Sequence, residues 1–414
     1  MTDCIIPEGY KKTSLGVIPK EWEAVRIHEI CTLVNGRAYK QNELLSEGKY
    51  KILRVGNFFT NDSWYFSDLE LEANKYACKG DLLYAWSASF GPRFWTEEKV
   101  IYHYHIWKIC DLKGIDKQYL YFFLDYDASL LQNAIQGGTM HHITKNDMEK
   151  RFIPLPPMEE QQNIAKVLNT WDKAIEKQTQ LIEKLELRKK GLMQQLLIGK
   201  KRLPGFSGEW KKAKLGDATI FLSTNSFSRE QLNSVKGNVL NIHYGDVLVR
   251  YSSVLDASKE DIPYINEQIE YSPKDYVNSG DVIMADTAED EMVGRCCEVI
   301  NIDNIKVVSG LHTILIHPII KFAPKYLGYY LNSERYHKQI ISIMQGIKVY
   351  SITKDALKNT IIDIPNIEEQ AAIANILSLC DNEILLAKQK LNSFQQQKKG
   401  LIQVLLTGKK RVVL

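Results

Sequence analysis

The sequence predicts an α+β fold written twice: two globular α+β domains separated by two long helices, which form an antiparallel coiled coil and make the chain pseudo-two-fold symmetric. Three observations predict it. Residues 153–202 align without a gap on residues 362–411, an offset of 209, with 22 of 50 positions identical. Both copies space their apolar residues in a 4-3 heptad, the signature of a coiled coil. The stretch before each copy holds short β-branched and aromatic runs bounded by Gly, Asn or Asp, which read as strands. An offset this long is no solenoid period; it marks duplication of a large unit. The segments are 1–155 (first globular domain), 156–203 (central helical repeat), 204–364 (second globular domain) and 365–414 (C-terminal helical repeat).

In the first segment "KILRVGNFF", "DLLYAW" and "VIYHYHIWKI" read as strands and "KQYLYFFLDYDASLLQNAI" as a helix. The next segment reads as one long helix. Pro156 and Pro157 stand just before it, and Glu159-Glu160 suit the positive end of its dipole. Its seam comprises Ile164, Leu168, Trp171, Ile175, Ile182, Leu185, Leu192 and Leu196, with Gln178 and Lys189 as polar members. Gly199 follows as a C-terminal cap, then basic residues. The third segment repeats the plan: "DVLVRYSSV", "DVIMA" and "LHTILIH" as strands, "PKYLGYYLNSERYHKQIISIM" as a helix. Glu209-Trp210 answers Glu21-Trp22, "SGDVIMA" answers "KGDLLYA", and "KYLGYYL" answers "QYLYFFL". The last segment carries the second seam: Ile373, Leu377, Cys380, Ile384, Ala387, Leu391, Phe394, Lys398, Leu401 and Leu405, ending at Gly408. Polar seam residues lower stability and are used to set register. Between these anchors the two halves diverge.

Composition narrows the function classes. The chain is 44% hydrophobic and 25% charged, with a formal net charge of +3, so contact with nucleic acid would have to come from local basic patches. Seven cysteines are scattered with no CxxC pair, which fits reduced thiols and a cytoplasmic location. No apolar run approaches a membrane span, and the first residues lack the order of a signal peptide. "LIGKKR" lacks the upstream Gly and the Ser/Thr of a phosphate-binding loop, and Pro156-Pro157 is followed by Met158 rather than completing an Asn-Pro-Pro-aromatic motif. His103 and His105 share one side of the expected strand, a pair without a third ligand nearby, so no metal is assigned. Asp81 and Asp281 each follow a glycine and read as turn residues. A nuclease built from unrecognised carboxylates and a coiled-coil adaptor that binds only proteins are the competing classes.

With "IPLPPMEEQ", "IPNIEEQ", the two heptad helices and "KKGLMQQLLIGKKR" in this tandem order, the chain resembles the specificity subunit of type I restriction-modification systems. The resemblance spans essentially the whole chain. It implies that each globular region is a target recognition domain reading one half of a bipartite target in double-stranded DNA. It implies helical repeats that dock two modification (methyltransferase) subunits, and a chain with no catalysis and no cofactor of its own. S-adenosylmethionine, ATP and Mg would sit on the modification and restriction (motor-nuclease) subunits. An antiparallel pair of rods, each roughly 58 Å long at about 1.5 Å per residue, would present two reading domains to half-sites about one DNA turn apart. The short "GKKRLPGFSGEW" link disfavours a parallel pair, which the sequence leaves open.

Base reading needs Arg, Lys, Asn, Gln or His at groove edges. In the first domain the candidate residues are Arg37, Tyr39, Lys40, Arg54, Asn57, Arg93, Thr139, His141, His142 and Lys145. In the second they are Arg229, His243, Arg250, Arg295, Lys348, Tyr350 and Lys354. The loops "GGTMHHITK" and "GIKVYSITK" correspond, with Thr139 matched by Lys348. Trp86, Trp95 and Trp107 read as core rather than as stacking platforms.

Overall fold

A computed structural model describes residues 6–59, 61–87, 89–134, 143–269 and 271–412. Two helices of 39 residues dominate it, Met158–Leu196 and Ile367–Leu405. The chain divides into two compact units, residues 1–179 with 390–414, and residues 180–389. These units cut across the four segments read from sequence, because each long helix lends one part to each unit.

In the first unit, strands Thr32–Asn35, Ile106–Cys110, Leu82–Ser87 and Ser89–Phe94 form an antiparallel sheet in that spatial order. A second sheet runs Tyr65–Ser67, Tyr50–Leu53, Val100–Tyr102, Tyr76–Ala77, with Tyr50–Leu53 parallel to Val100–Tyr102. Helix Lys117–Ala134 packs its Tyr119, Leu120, Phe122 and Phe123 with Trp22, Leu82, Trp107, Ile164 and Leu168. Leu405 and Leu406, from the end of the second long helix, complete this core. The helix parts inside this unit run in opposite directions. Trp171 meets Phe394 edge-on at 5.7 Å, and Lys398 pairs with Asp172 at 2.5 Å.

The second unit repeats this plan. A five-stranded sheet runs Thr219–Leu222, Thr313–Pro318, Val282–Ala285, Cys296–Ile300, Val254–Asp256. A four-stranded one runs Leu232–Asn233, Tyr264–Ile265, Leu240–Ile242, Val307–Ser309. Register is retained: Ile106 opposes Ala85 in the first unit, and Thr313 opposes Ala285 in the second. Here too the helix parts are antiparallel, with Lys189 on Asp381 (2.5 Å) and Lys388 on Glu186 (2.7 Å). Lys189 and Lys398, the lysines of the seams, thus meet Asp381 and Asp172, aspartates that occupy matching positions in the two repeats. Each ammonium also lies over a ring, Tyr329 at 5.4 Å or Phe122 at 5.3 Å. Of the residues from Glu176 to Arg188, only Gln178, Ile182 and Leu185 are not exposed. None of the helices among the described residues is long and apolar enough to cross a membrane.

The repeated motifs converge on one device in each unit. Glu160 accepts two hydrogen bonds from the Arg411 guanidinium (2.6 and 2.8 Å) and one from Trp22 Nε1 (2.9 Å). Glu369 accepts the same set from Arg202 (2.6 and 2.7 Å) and Trp210 (3.1 Å). Gln161 and Gln370 bond back to Pro156 O and Pro365 O, each at 2.8 Å, and take an amide proton from Asp116 or Ala323. The start of one long helix is therefore clasped by the arginine that follows the other. Gly199 (φ +67°) and Gly408 (φ +69°) make the left-handed turns that bring those arginines round.

Four local expectations differ from the structure. "KILRVGNFF" is strand only through Leu53; Val55–Phe59 is a short helix that buries Phe58. "DVLVRYSSV" begins inside helix Tyr244–Val249, capped by His243, before a strand at Val254. In both, burial of one apolar side chain overrides β propensity. "VIYHYHIWKI" is two strands in different sheets, turned at residues 103–105. The helix expected over "PKYLGYYLNSERYHKQIISIM" breaks into Tyr326–Leu331 and Glu334–Ile343. Ser333 caps the second piece, and the Asn332 amide donates to Gly328 O and Cys296 O instead of leaving the helix continuous.

Candidate nucleic-acid interface

In each unit the turn before the central strand, residues 103–105 or 310–312, emerges beside the end of the neighbouring strand at residue 86 or 286. Framework ends there and divergence begins. The turn "HYH" carries His103 and His105; "GLH" carries Gly310 and His312. His105 and His312 hold matching positions, a correspondence visible in "VIYHYH" against "VVSGLH" once the strands are aligned.

In the first unit a cleft of about 250 Å³ is lined by Arg54, Asn57, Asn61, Ser63, Tyr65, His103 and His105, with Val55 and Gly56. The Arg54 guanidinium lies 5.3 Å over the Tyr65 ring. Asn57 is spent on the loop itself: its Nδ2 donates to Asn61 O (3.0 Å) and Ser63 O (2.7 Å), and its Oδ1 accepts from Arg54 N (3.3 Å). Burial pushes the His103 imidazole down to about 4, aided by His105 and Arg54, so it is neutral at physiological pH. Tyr39 stacks on His103 at 6.4 Å, and its burial raises the phenol. Trp86 stands half-buried against His105, at 4.9 Å, and donates to Tyr104 O; Trp95 and Trp107 are core.

The other candidates of this unit fall into two groups. Arg37 is committed to Glu43 through two hydrogen bonds (3.0 and 2.7 Å), and the same carboxylate accepts from Lys40 N. Lys145 pairs with Glu149 within a short helix. Arg93 is exposed and rides on Phe58 and Phe59 at 5.6 and 5.7 Å. Lys51 likewise lies over Trp64 at 5.1 Å. Among the described residues, Lys51, Arg54 and Arg93 have no carboxylate partner, and each is a cation seated on an aromatic ring. Thr139, His141 and His142 lie outside the described residues.

In the second unit a cleft of about 480 Å³ is lined by Ser223–Phe227, Tyr271, Lys274, Asp286 and Leu311–Thr313. His312 Nδ1 lies 3.4 Å from both Asp286 Oδ1 and Thr287 Oγ1. Asn225 bonds to Asn241 Oδ1 at 2.6 Å. None of the sequence candidates of this unit lines the cleft. Arg229 is fixed to Asp246 by two bonds (2.8 and 2.9 Å). His243 is buried and caps a helix through Gly245 N; burial lowers its pKa. Arg295 closes the same helix from Leu248 O and Tyr251 O. Arg250 pairs with Asp261 at 3.4 Å. Lys348 is exposed, Tyr350 belongs to a two-residue strand against Thr287–Ala288, and Lys354 Nζ donates to Leu222 O. Sequence reasoning missed Tyr65, Asn225, Tyr271, Lys274 and His312. Only the histidine left a trace, through its match with His105.

Among the described residues no group of three or more His, Cys, Asp or Glu side chains is placed to hold a metal. Asp81 and Asp281 each accept from a backbone amide three residues earlier, in turns completed by Gly80 (φ +90°) and Gly280 (φ +95°). Asp81 also pairs with Lys108, and Asp281 with His317.

Comparison with known proteins agrees with the duplication. The family described as "Type I restriction modification DNA specificity domain" matches twice, over residues 19–187 and 208–396. The type I restriction enzyme MjaVIII specificity subunit of Methanocaldococcus jannaschii is 27% identical, over 98% of this chain and 96% of its own length. Among solved structures, one from work on complex assembly and conformational transition of the type I R-M system superposes with a TM-score of 0.60 at 17% identity, covering 95% of this chain and 99% of the other. The S subunit of M. genitalium superposes with a TM-score of 0.53 at 16% identity, over 93% and 96%. The chain belongs to the type I restriction modification DNA specificity family, as a specificity subunit of a type I restriction-modification system.

Proposed function

We propose that this chain is the DNA-reading, non-catalytic component of a type I restriction-modification complex. Each unit reads one half of a bipartite target in double-stranded DNA. The long helices act as an antiparallel coiled coil that sets the spacer and docks two modification subunits. Adenine methylation, with S-adenosylmethionine, and cleavage, with ATP and Mg, belong to the modification and restriction partners. A target adenine inside a duplex has to be flipped out for methylation, and this chain holds the DNA while its partner does so.

The observation that carries this reading is the contrast within the duplication. The clasp of Glu160, Trp22 and Arg411 recurs almost atom for atom as Glu369, Trp210 and Arg202, whereas the clefts at the turns share only a histidine. Identical scaffold with unlike surfaces is what two different half-sites require, and a protein-only adaptor has no need of it.

Methylome sequencing of a host carrying this subunit with its modification partner tests the proposal. The expected result is a split motif with adenine modified in each half. Exchange of the second domain should change one half only, and residues inserted within 164–196 should change the spacer but not the bases. Gel shifts should weaken steeply with salt, as phosphate contacts demand. Methyl transfer or cleavage by the purified chain alone, or binding indifferent to ionic strength, would overturn it.

A further inference from the structure

The first cleft has a chemistry of its own. It holds one arginine, Arg54, with no carboxylate partner among the described residues. The guanidinium rests on Tyr65, so its plane is oriented before any ligand arrives. The loop beneath is locked by Asn57, whose amide and carbonyl are all used internally. His103, uncharged, and His105 line the same cleft. Phosphate sites gather several cations or backbone amides; this site offers a single planar fork and the uncharged His103 imidazole in a concave recess. Its complement is a projecting edge with two adjacent acceptors and no charge.

We propose, resting on the DNA-reading role above, that this cleft is a base-reading site of the first domain, and that Arg54 takes the N7 and O6 acceptors of a guanine in the major groove. Arginine paired in this way is the commonest specific base contact. Tyr65 is a positioning residue: it acts through Arg54 by holding the guanidinium plane. Arg37, which sequence alone ranks equally with Arg54, is excluded because Glu43 already occupies its fork.

The test uses the full chain with its modification subunits and a panel of duplexes in which each first-half base pair is varied. Arg54→Ala and Arg54→Gln should each reduce the preference for G·C at one first-half position by about 10- to 100-fold. Second-half preferences and the salt slope should stay as in the unaltered complex. Arg54→Lys should weaken the preference, since an ammonium lacks the planar fork that fixes both acceptors. Tyr65→Phe should retain it and Tyr65→Ala should weaken it. Uniform weakening on every duplex, with the salt slope reduced by about one, would make Arg54 a phosphate contact and overturn the assignment. Unchanged preferences at every position would overturn it as well. If the unaltered complex binds without sequence preference, the DNA-reading role itself fails, and this inference with it.

Discussion

Arg411→Ala tests the clasp that closes the first unit. Glu160 is buried, and Arg411 supplies two of the three hydrogen bonds described above and the positive charge that pairs with it. Removing one partner of a buried pair costs about 3–5 kcal/mol, mostly the penalty of a carboxylate left without its cation. Arg411 is itself about one-third exposed (34%), so water partly compensates, and about 2–3 kcal/mol is the reasonable figure. The Glu21 contact at 2.7 Å is exposed and adds little. A chain of two units need not unfold in one step, so the assay should be local. Amide hydrogen exchange, read by mass spectrometry, should speed up in peptides covering residues 158–166 and 401–412 and stay constant across residues 367–380. Arg202→Ala should give the reverse pattern. In a double-mutant cycle, Glu160→Gln with Arg411→Ala should show a coupling of about 1–3 kcal/mol. Unchanged exchange in Arg411→Ala, or additive single effects, would refute the reasoning.

The capping glycines should respond unequally to alanine. Both have left-handed φ, worth about 1–2 kcal/mol against any other residue. A Cβ on Gly199 would lie 3.5 Å from the Trp210 ring, an ordinary contact, whereas one on Gly408 would lie 2.5 Å from Pro19 and 3.1 Å from Trp22. Denaturant melts should therefore show Gly408→Ala as the worse of the two by about 1–2 kcal/mol. Glu298 accepts from Lys325 N and Gly328 N, yet burial raises its carboxyl from 4.5 to about 7. The folded state then holds this proton more tightly than the unfolded state, so its contribution is full below about pH 4.5 and lost as pH rises through 7. Glu298→Gln should flatten the fall in second-unit stability between pH 5 and pH 8 by about 3 kcal/mol; parallel curves for both proteins would contradict this. Leu168→Ala, fully buried, should lose about 2–5 kcal/mol, while Leu187→Ala, 71% exposed, should stay within about 0.5 kcal/mol in the same melts.

Much of the architecture was legible because it is periodic or repeated. Heptads, flanking prolines and terminal glycines are local signals, and an alignment of the chain with itself needs no coordinates. The errors fell where local signals conflict. "KILRVGNFF" and "DVLVRYSSV" have strand-forming residues, but the second half of the one and the first half of the other turn helical, burying Phe58 and Val247. The interface was legible only as residue types. Arg37, Arg54 and Arg229 are equivalent in a sequence; Glu43 and Asp246 occupy two of them, and Tyr65 orients the third.

By itself the sequence determined the duplication, the two long helices and the family, since repetition and period are carried by the order of residues alone. Only tertiary structure decided that Glu160 meets Arg411 and that Glu369 meets Arg202, and so that the helix parts within each unit are antiparallel. It also decided which cations remain free for a ligand. The clasps join side chains more than 150 residues apart, and even the pairs that take up Arg37 and Arg229, 6 and 17 residues apart, depend on how the loops are folded rather than on a local pattern.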